Sequence, residues 1–157
     1  MDLPNRRPNR VPHYDYSQTG SYFITVCTQD RKKILSRITH PGRPEPSPYG
    51  DVAEKYIRQM DAFYDHLSVD KYVIMPDHIH FLITLHLAAD AAPKERTSAI
   101  ARFVGTFKRF CNKEFGGNIW QDRYYDHVIR NQEDYNEIWE YIDNNPRKWS
   151  IQKRGYE

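Results

Sequence analysis

The sequence predicts an α+β domain built on an antiparallel sheet. Three observations carry this expectation. Runs rich in aromatic and β-branched residues alternate along the chain with segments whose apolar residues recur at helical spacing. A Pro-Asp turn joins two of the strand-like runs directly, as in an antiparallel pair. The 157 residues are 39% hydrophobic and 28% charged, enough for one buried core and too mixed for a disordered chain.

Residues 1–20 place Pro4, Pro8 and Pro12 among Arg6, Arg7 and Arg10, an extended basic N-terminal arm rather than a core element. Residues 21–157 then form a single domain. Tyr22-Phe23-Ile24-Thr25-Val26-Cys27-Thr28 reads as the first strand. Pro41, Gly42, Pro44, Pro46 and Pro48 mark a loop over 41–48. Val52, Tyr56, Met60 and Phe63 recur at helical spacing, with Asp51 as N-cap and Glu54 three residues on.

Lys71–Met75 is a second strand and His78–Leu85 a third, with Ile79, Phe81, Ile83 and Leu85 on one face. Residues 86–96 are Ala-rich and loop-like. Ile100, Phe103, Val104, Phe107, Phe110 and Cys111 give an amphipathic helix, ended by Gly116-Gly117. Tyr124–Arg130 is a fourth strand, and a last helix runs from Asp134 to about Asn145, stopped by Pro146. The order β-α-β-β-α-β is the ferredoxin-like arrangement, with helices on one face of the sheet, followed here by one further helix. That fold hosts many unrelated functions, so the side chains must decide.

Composition narrows the classes. No long apolar run could span a membrane, and the start Met1–Arg7 has no apolar stretch behind its charges, so neither a membrane anchor nor a secretory leader is expected. The mean hydropathy is −0.86. Cys27 and Cys111 lie far apart in no metal-like spacing, which argues against a disulfide framework or a cysteine zinc site and for the cytoplasm. The net charge is only +2, but 1–43 and 96–130 are net basic while 44–95 and 131–157 are net acidic. Two basic zones suit a localised polyanion-binding face, and 12 Tyr, 7 Phe and 3 Trp suit unstacked bases.

Four constellations could carry chemistry. In His78-Ile79-His80 the two imidazoles leave the strand on one face, as a divalent site needs; the plainer alternative is two polar residues on a solvated face. Tyr141 and Asn145, four apart, share one flank of the last helix beside the stripe of Tyr135, Ile138, Trp139 and Ile142; alone they read as a half-buried tyrosine and a helix-end asparagine. Arg102, Lys108, Arg109 and Lys113 form a basic helix face which, with Arg6, Arg7 and Arg10, is a candidate phosphate contact or else ordinary solvated surface. His127 is a candidate phosphate contact, a support for a metal ligand, or a partly buried structural histidine.

Together these residues resemble a known family. Pro76-Asp77-His78-Ile79-His80-Phe81 resembles the HUH motif (His, hydrophobic, His) of the single-tyrosine transposases of the IS200-like family. Trp120–Asn131 resembles the segment before their catalytic helix, and Tyr141-Ile142-Asp143-Asn144-Asn145-Pro146 the catalytic tyrosine with the polar residue one turn later. The branch resembled most is that of the REP-associated tyrosine transposases, over about Tyr14 to Trp149.

The resemblance implies a cytoplasmic, nucleoid-associated prokaryotic enzyme that binds single-stranded DNA at imperfect palindromes folding into hairpins. Tyr141 would match the nucleophile, leaving a 5′-phosphotyrosine link and a free 3′-hydroxyl. His78, His80 and Asn145 would match the ligands of one Mg²⁺ or Mn²⁺. Asn145 stands where some mobile relatives have Gln, so the helix must come closer. The absence of a dedicated apolar interface stripe favours a monomer over a homodimer. Two other readings compete. A non-catalytic RRM-like single-strand binder lacks its Gly-aromatic signature here, and a phosphoesterase with paired His-x-Thr/Ser motifs lacks the second motif.

Overall fold

The computed structural model describes residues 20–39, 42–88 and 90–156, with side chains through Trp149. The basic arm, with Arg6, Arg7 and Arg10, lies outside the described residues. Strand β1 (Ser21–Thr28) is followed by a 3-10 turn at Gln29–Arg31, a small ribbon of β2 (Ser36–Thr39) and β3 (Arg43–Pro46), and helix α1 (Pro48–Phe63). Strands β4 (Leu67–Ile74) and β5 (His78–Leu85), helix α2 (Pro93–Phe115), strand β6 (Trp120–Val128) and helix α3 (Gln132–Tyr156) complete the chain. The main sheet has the order β4-β5-β1-β6 with every neighbouring pair antiparallel, the expected α+β arrangement.

Alternation along β1 and β5 divides the interior into two layers. Tyr22, Ile24 and Val26 of β1 and Ile79, Phe81 and Ile83 of β5 join Ile57 and Met60 of α1 and Phe103 and Phe107 of α2 in the larger core. On the opposite face Leu82 and Val73 meet Tyr135, Trp139 and Ile142 of α3, with Phe23 packed alongside. All eight residues of β5 are therefore buried, covered from both sides. Buried Asp70, at an irregularity in the β4–β5 pairing, ties the layers: it accepts hydrogen bonds from Thr84 Oγ1, Ser68 Oγ and Tyr135 Oη, each at 2.7 Å.

Several sequence expectations are corrected. Residues 43–46 are a strand: Pro44 and Pro46 sit opposite Ile38 and Ser36 in a two-stranded ribbon, where missing N–H groups are tolerated. Helix α1 starts three residues before Asp51, with Pro48 in its first turn and Ser47 Oγ accepting from the Gly50 N–H at 3.1 Å. Its buried face is Gly50, Ala53, Ile57 and Met60, leaving Phe63 79% exposed. Part of the expected 86–96 loop is helix from Pro93, and β6 begins at Trp120 rather than Tyr124.

Phe110, expected in the α2 stripe, is exposed against Tyr56. Helix α3 does not stop at Pro146 but continues through it. Pro146 is buried, and Trp149 one turn on packs against the second core, so tertiary contacts outweigh the N–H lost to the proline ring.

Candidate active site

His78 and His80 leave β5 on the face covered by α3, not on a solvated face; they are 7% and 5% exposed. Their Nε2 atoms stand 3.1 Å apart. Each ring's other nitrogen has a partner. His78 Nδ1 lies 2.7 Å from Asp77 Oδ1, and His80 Nδ1 2.8 Å from Thr25 Oγ1, across the β1–β5 pairing. The Asp77 carboxylate only accepts, so it takes a hydrogen bond from His78 Nδ1, beside which Arg31 Nη2 also lies at 3.4 Å. His80 is flanked on its two nitrogens by the Thr25 hydroxyl and the His78 ring.

Burial, reinforced by the neighbouring His78 and Arg31, pushes His80 down to about 3, so its ring is neutral at physiological pH. Burial alone would raise the Asp77 carboxyl, but hydrogen bonds from His78 and Arg31 outweigh it and hold it below the usual range.

Arg31 donates Nε–H to Asp77 Oδ2 at 3.1 Å while its side chain stays 52% exposed. It comes from a strained turn: Asp30 and Arg31 have φ of 55° and 53°, a left-handed pair without glycine. Such residues cost on the order of 1 kcal/mol each and concentrate at functional sites.

Helix α3 supplies the rest. The ring of Tyr141 meets His80 at 5.5 Å and Phe23 at 5.9 Å between centroids, and that of Trp149 meets His78 at 6.3 Å. Residues 141, 145 and 149 recur every four positions on one helix face, which brings Asn145 over the imidazole pair. Asn145 Oδ1 is buried without a hydrogen-bond partner. Tyr141 is 41% exposed, and Lys148 Nζ stands 5.9 Å from its ring centroid. Two imidazoles and an orphaned amide oxygen suit a single divalent cation. Among the described residues no three His, Cys, Asp or Glu side chains cluster in such an arrangement.

The remaining candidates lie elsewhere. Arg102, Lys108, Arg109 and Lys113 belong to α2, in the layer across the sheet from Tyr141. Lys108 Nζ donates to the Gln121 carbonyl at 2.7 Å, and burial lowers its ammonium. Arg109 Nη2 donates to Thr106 Oγ1 at 3.0 Å. His127 lies on the site's face of β6, opposite Phe23, but its Nε2 is held 2.9 Å from Asp134 Oδ2 in the first turn of α3.

Sequence reasoning missed the supporting residues Thr25, Arg31 and Phe23, which only the strand register and the turn bring in. Asp77 was in view as a turn residue; its place directly before the histidines was the available signal.

Known proteins resemble this chain in sequence and in fold. The family described as "Transposase IS200 like" matches residues 16–145. An uncharacterized protein of Haemophilus influenzae is 31% identical over 165 residues, covering 94% of this chain and 91% of that protein. The REP-associated tyrosine transposase of Escherichia coli K12 is 32% identical over 133 residues, covering 85% of this chain and 70% of that one. A solved REP-associated tyrosine transposase bound to a REP hairpin superposes with a TM-score of 0.61 at 25% identity, over 89% of this chain and 73% of its own.

Proposed function

The chain belongs to the IS200-like transposase family, on the branch of the REP-associated tyrosine transposases, and we propose that it cleaves and rejoins single-stranded DNA at hairpin-forming palindromes through Tyr141. The observation that carries this reading is the convergence at one spot of an accessible tyrosine, two adjacent buried imidazoles and an unpartnered buried amide oxygen. His78, His80 and Asn145 would hold Mg²⁺ or Mn²⁺, which when bound supplies Lewis-acid polarisation of a phosphate oxygen. The donors are uncharged, so they leave the ion's full charge for the substrate.

The protein's own groups do the rest. Asp77 and Thr25 fix the two rings, and α3 presents the Tyr141 ring against His80. The tyrosine oxygen gives up its proton and forms a bond to phosphorus while the P–O3′ bond breaks and the leaving 3′-oxygen takes up one proton. The DNA is left with a free 3′-hydroxyl, and its 5′-phosphate is esterified to Tyr141. Attack by a 3′-hydroxyl on that ester reverses the step and frees the phenol. One ester replaces another, so no nucleotide triphosphate is needed. Among the described residues no helix is long and apolar enough to cross a membrane.

Tyr141→Phe tests the assignment. It deletes one hydroxyl from an exposed ring, so stability and DNA affinity stay near wild type while the covalent protein–DNA adduct vanishes. Wild type and variant are incubated with labelled hairpin DNA and Mn²⁺, denatured, and resolved by gel. An adduct that survives in the variant, or maps by peptide mass to another tyrosine, refutes the role of Tyr141. A wild type that binds hairpin DNA but never forms the adduct refutes the cleavage reading.

A further inference from the structure

Tyr125 is 69% exposed, unlike Tyr124, which packs against the main core, and Tyr135, which is buried. Its position is not arbitrary. Tyr125 pairs with Thr25, and Thr25 with His80, so the three lie in one cross-strand row and share one sheet face. Two strand spacings, about 10 Å, separate the Tyr125 backbone from that of His80. Phe23, in contact with both His80 and Tyr141, occupies the neighbouring row. Helix α3 packs on β4 and β5, towards the other edge of the sheet, and on the β2–β3 ribbon.

An aromatic ring thus stands at the open margin of the site, beside the reacting groups and away from the helix that roofs them. Charge complements it: the half-exposed guanidinium of Arg31, held at Asp77, comes from the turn that packs against β6, the strand that carries Tyr125. A flat ring next to a cation on an uncovered surface matches one occupant well, a nucleotide of single-stranded DNA with its base on the ring and its phosphate towards the guanidinium.

We propose that Tyr125 is a stacking platform for one unpaired base flanking the scissile phosphate, a subsite distinct from the His78–His80–Asn145–Tyr141 centre. The proposal rests on the reading of this protein as a single-strand nuclease. It gives β6 a role in strand positioning: the edge strand, by exposing one ring, sets where the chain of nucleotides leaves the centre.

The test is an abasic scan. Hairpin oligonucleotides with a short single-stranded flank, drawn from an imperfect palindrome beside the encoding gene, carry one abasic replacement each. Binding to wild type, Tyr125→Ala and Tyr125→Phe is measured by fluorescence anisotropy in EDTA, and adduct formation is followed separately in Mn²⁺. One abasic position should weaken wild-type binding about tenfold. The same position should cost Tyr125→Ala less than about twofold, because the partner ring is already gone. Tyr125→Phe keeps the π-face and should follow wild type.

Superimposable abasic profiles for wild type and Tyr125→Ala overturn the platform, as does a Tyr125→Phe variant as impaired as the alanine. If those profiles superimpose while wild type still forms the adduct, only the subsite fails. A wild type that neither binds these oligonucleotides nor forms an adduct overturns the nuclease reading with it.

Discussion

Asn145 is where function and stability pull apart, and replacing it with leucine exposes the conflict. Its Oδ1 is buried with no partner. A buried acceptor left unpaired costs about 1–3 kcal/mol. Leucine has a similar size, no polar oxygen and a helix propensity better by a few tenths of a kcal/mol. In EDTA, Asn145→Leu should therefore be more stable than wild type by about 1–2 kcal/mol. For a chain of this length that is a rise of about 2–8 °C in melting midpoint. Saturating Mn²⁺ should reverse the order: a ligand at a hundred times its dissociation constant adds about 2.7 kcal/mol to the protein that binds it. The assay is a thermal melt of both proteins in EDTA and across a MnCl₂ series. Asn145→Asp provides the opposite arm, with a lower midpoint in EDTA and a larger Mn²⁺ shift, because a buried carboxylate is penalised until a cation neutralises it. A leucine variant that melts below wild type in EDTA, or that keeps the full Mn²⁺ shift, refutes the argument.

Other substitutions probe the frame that holds the site. Tyr135→Phe removes a donor from the buried Asp70 cluster and should cost about 1.5–3 kcal/mol in urea unfolding, a loss too small to measure meaning that Asp70 does not anchor α3. Gly50→Ala should destabilise by about 3 kcal/mol or more, since a β-carbon there collides with the Leu35 carbonyl oxygen; an unchanged midpoint would mean that this segment shifts freely. Neither thiol should react with Ellman's reagent in the native protein at pH 8: Cys27 and Cys111 are 3% and 0% exposed. Burial raises the Cys27 thiol and pushes Cys111 up to about 12, so both stay protonated, and both should react promptly in guanidinium.

What the sequence made legible follows from the range of the physics involved. Strand β5 was readable to its ends because the period-two alternation of Ile79, Phe81, Ile83 and Leu85 is local and strong. The same alternation put His78 and His80 on one face, and helical spacing put Tyr141 and Asn145 on another. The β2–β3 ribbon was not readable. Its prolines signal a loop locally, and what holds the ribbon lies far along the chain: a β-carbon at Gly42 would run into the backbone of Arg147 in α3. The continuation of α3 past Pro146 depends likewise on the docking of Trp149. Thr25 joins the site only through the β1–β5 register, and Arg31 only through two left-handed residues that carry no glycine to announce them. The placement of α2 across the sheet from Tyr141 is also a matter of layering, which separates the basic helix face from the candidate site in a way charge counts do not reveal.

The division of the interior into two cores has a consequence for when the centre exists at all. The histidines belong to the sheet, whereas Tyr141 and Asn145 belong to a helix seated on a smaller apolar cluster of its own. A unit held that way can open without the main fold opening, so its amide protons exchange at a lower free energy than those of β1 and β5. In the undocked ensemble the Tyr141 ring is on one body and the imidazoles on another, and the proposed centre is not assembled. Slippage by a single helical turn, 5.4 Å, would put Asn145 where Tyr141 belongs. On the function proposed above, competence for strand cleavage would be a two-state property of one docking event, and whatever biases that event would set the fraction of molecules able to react.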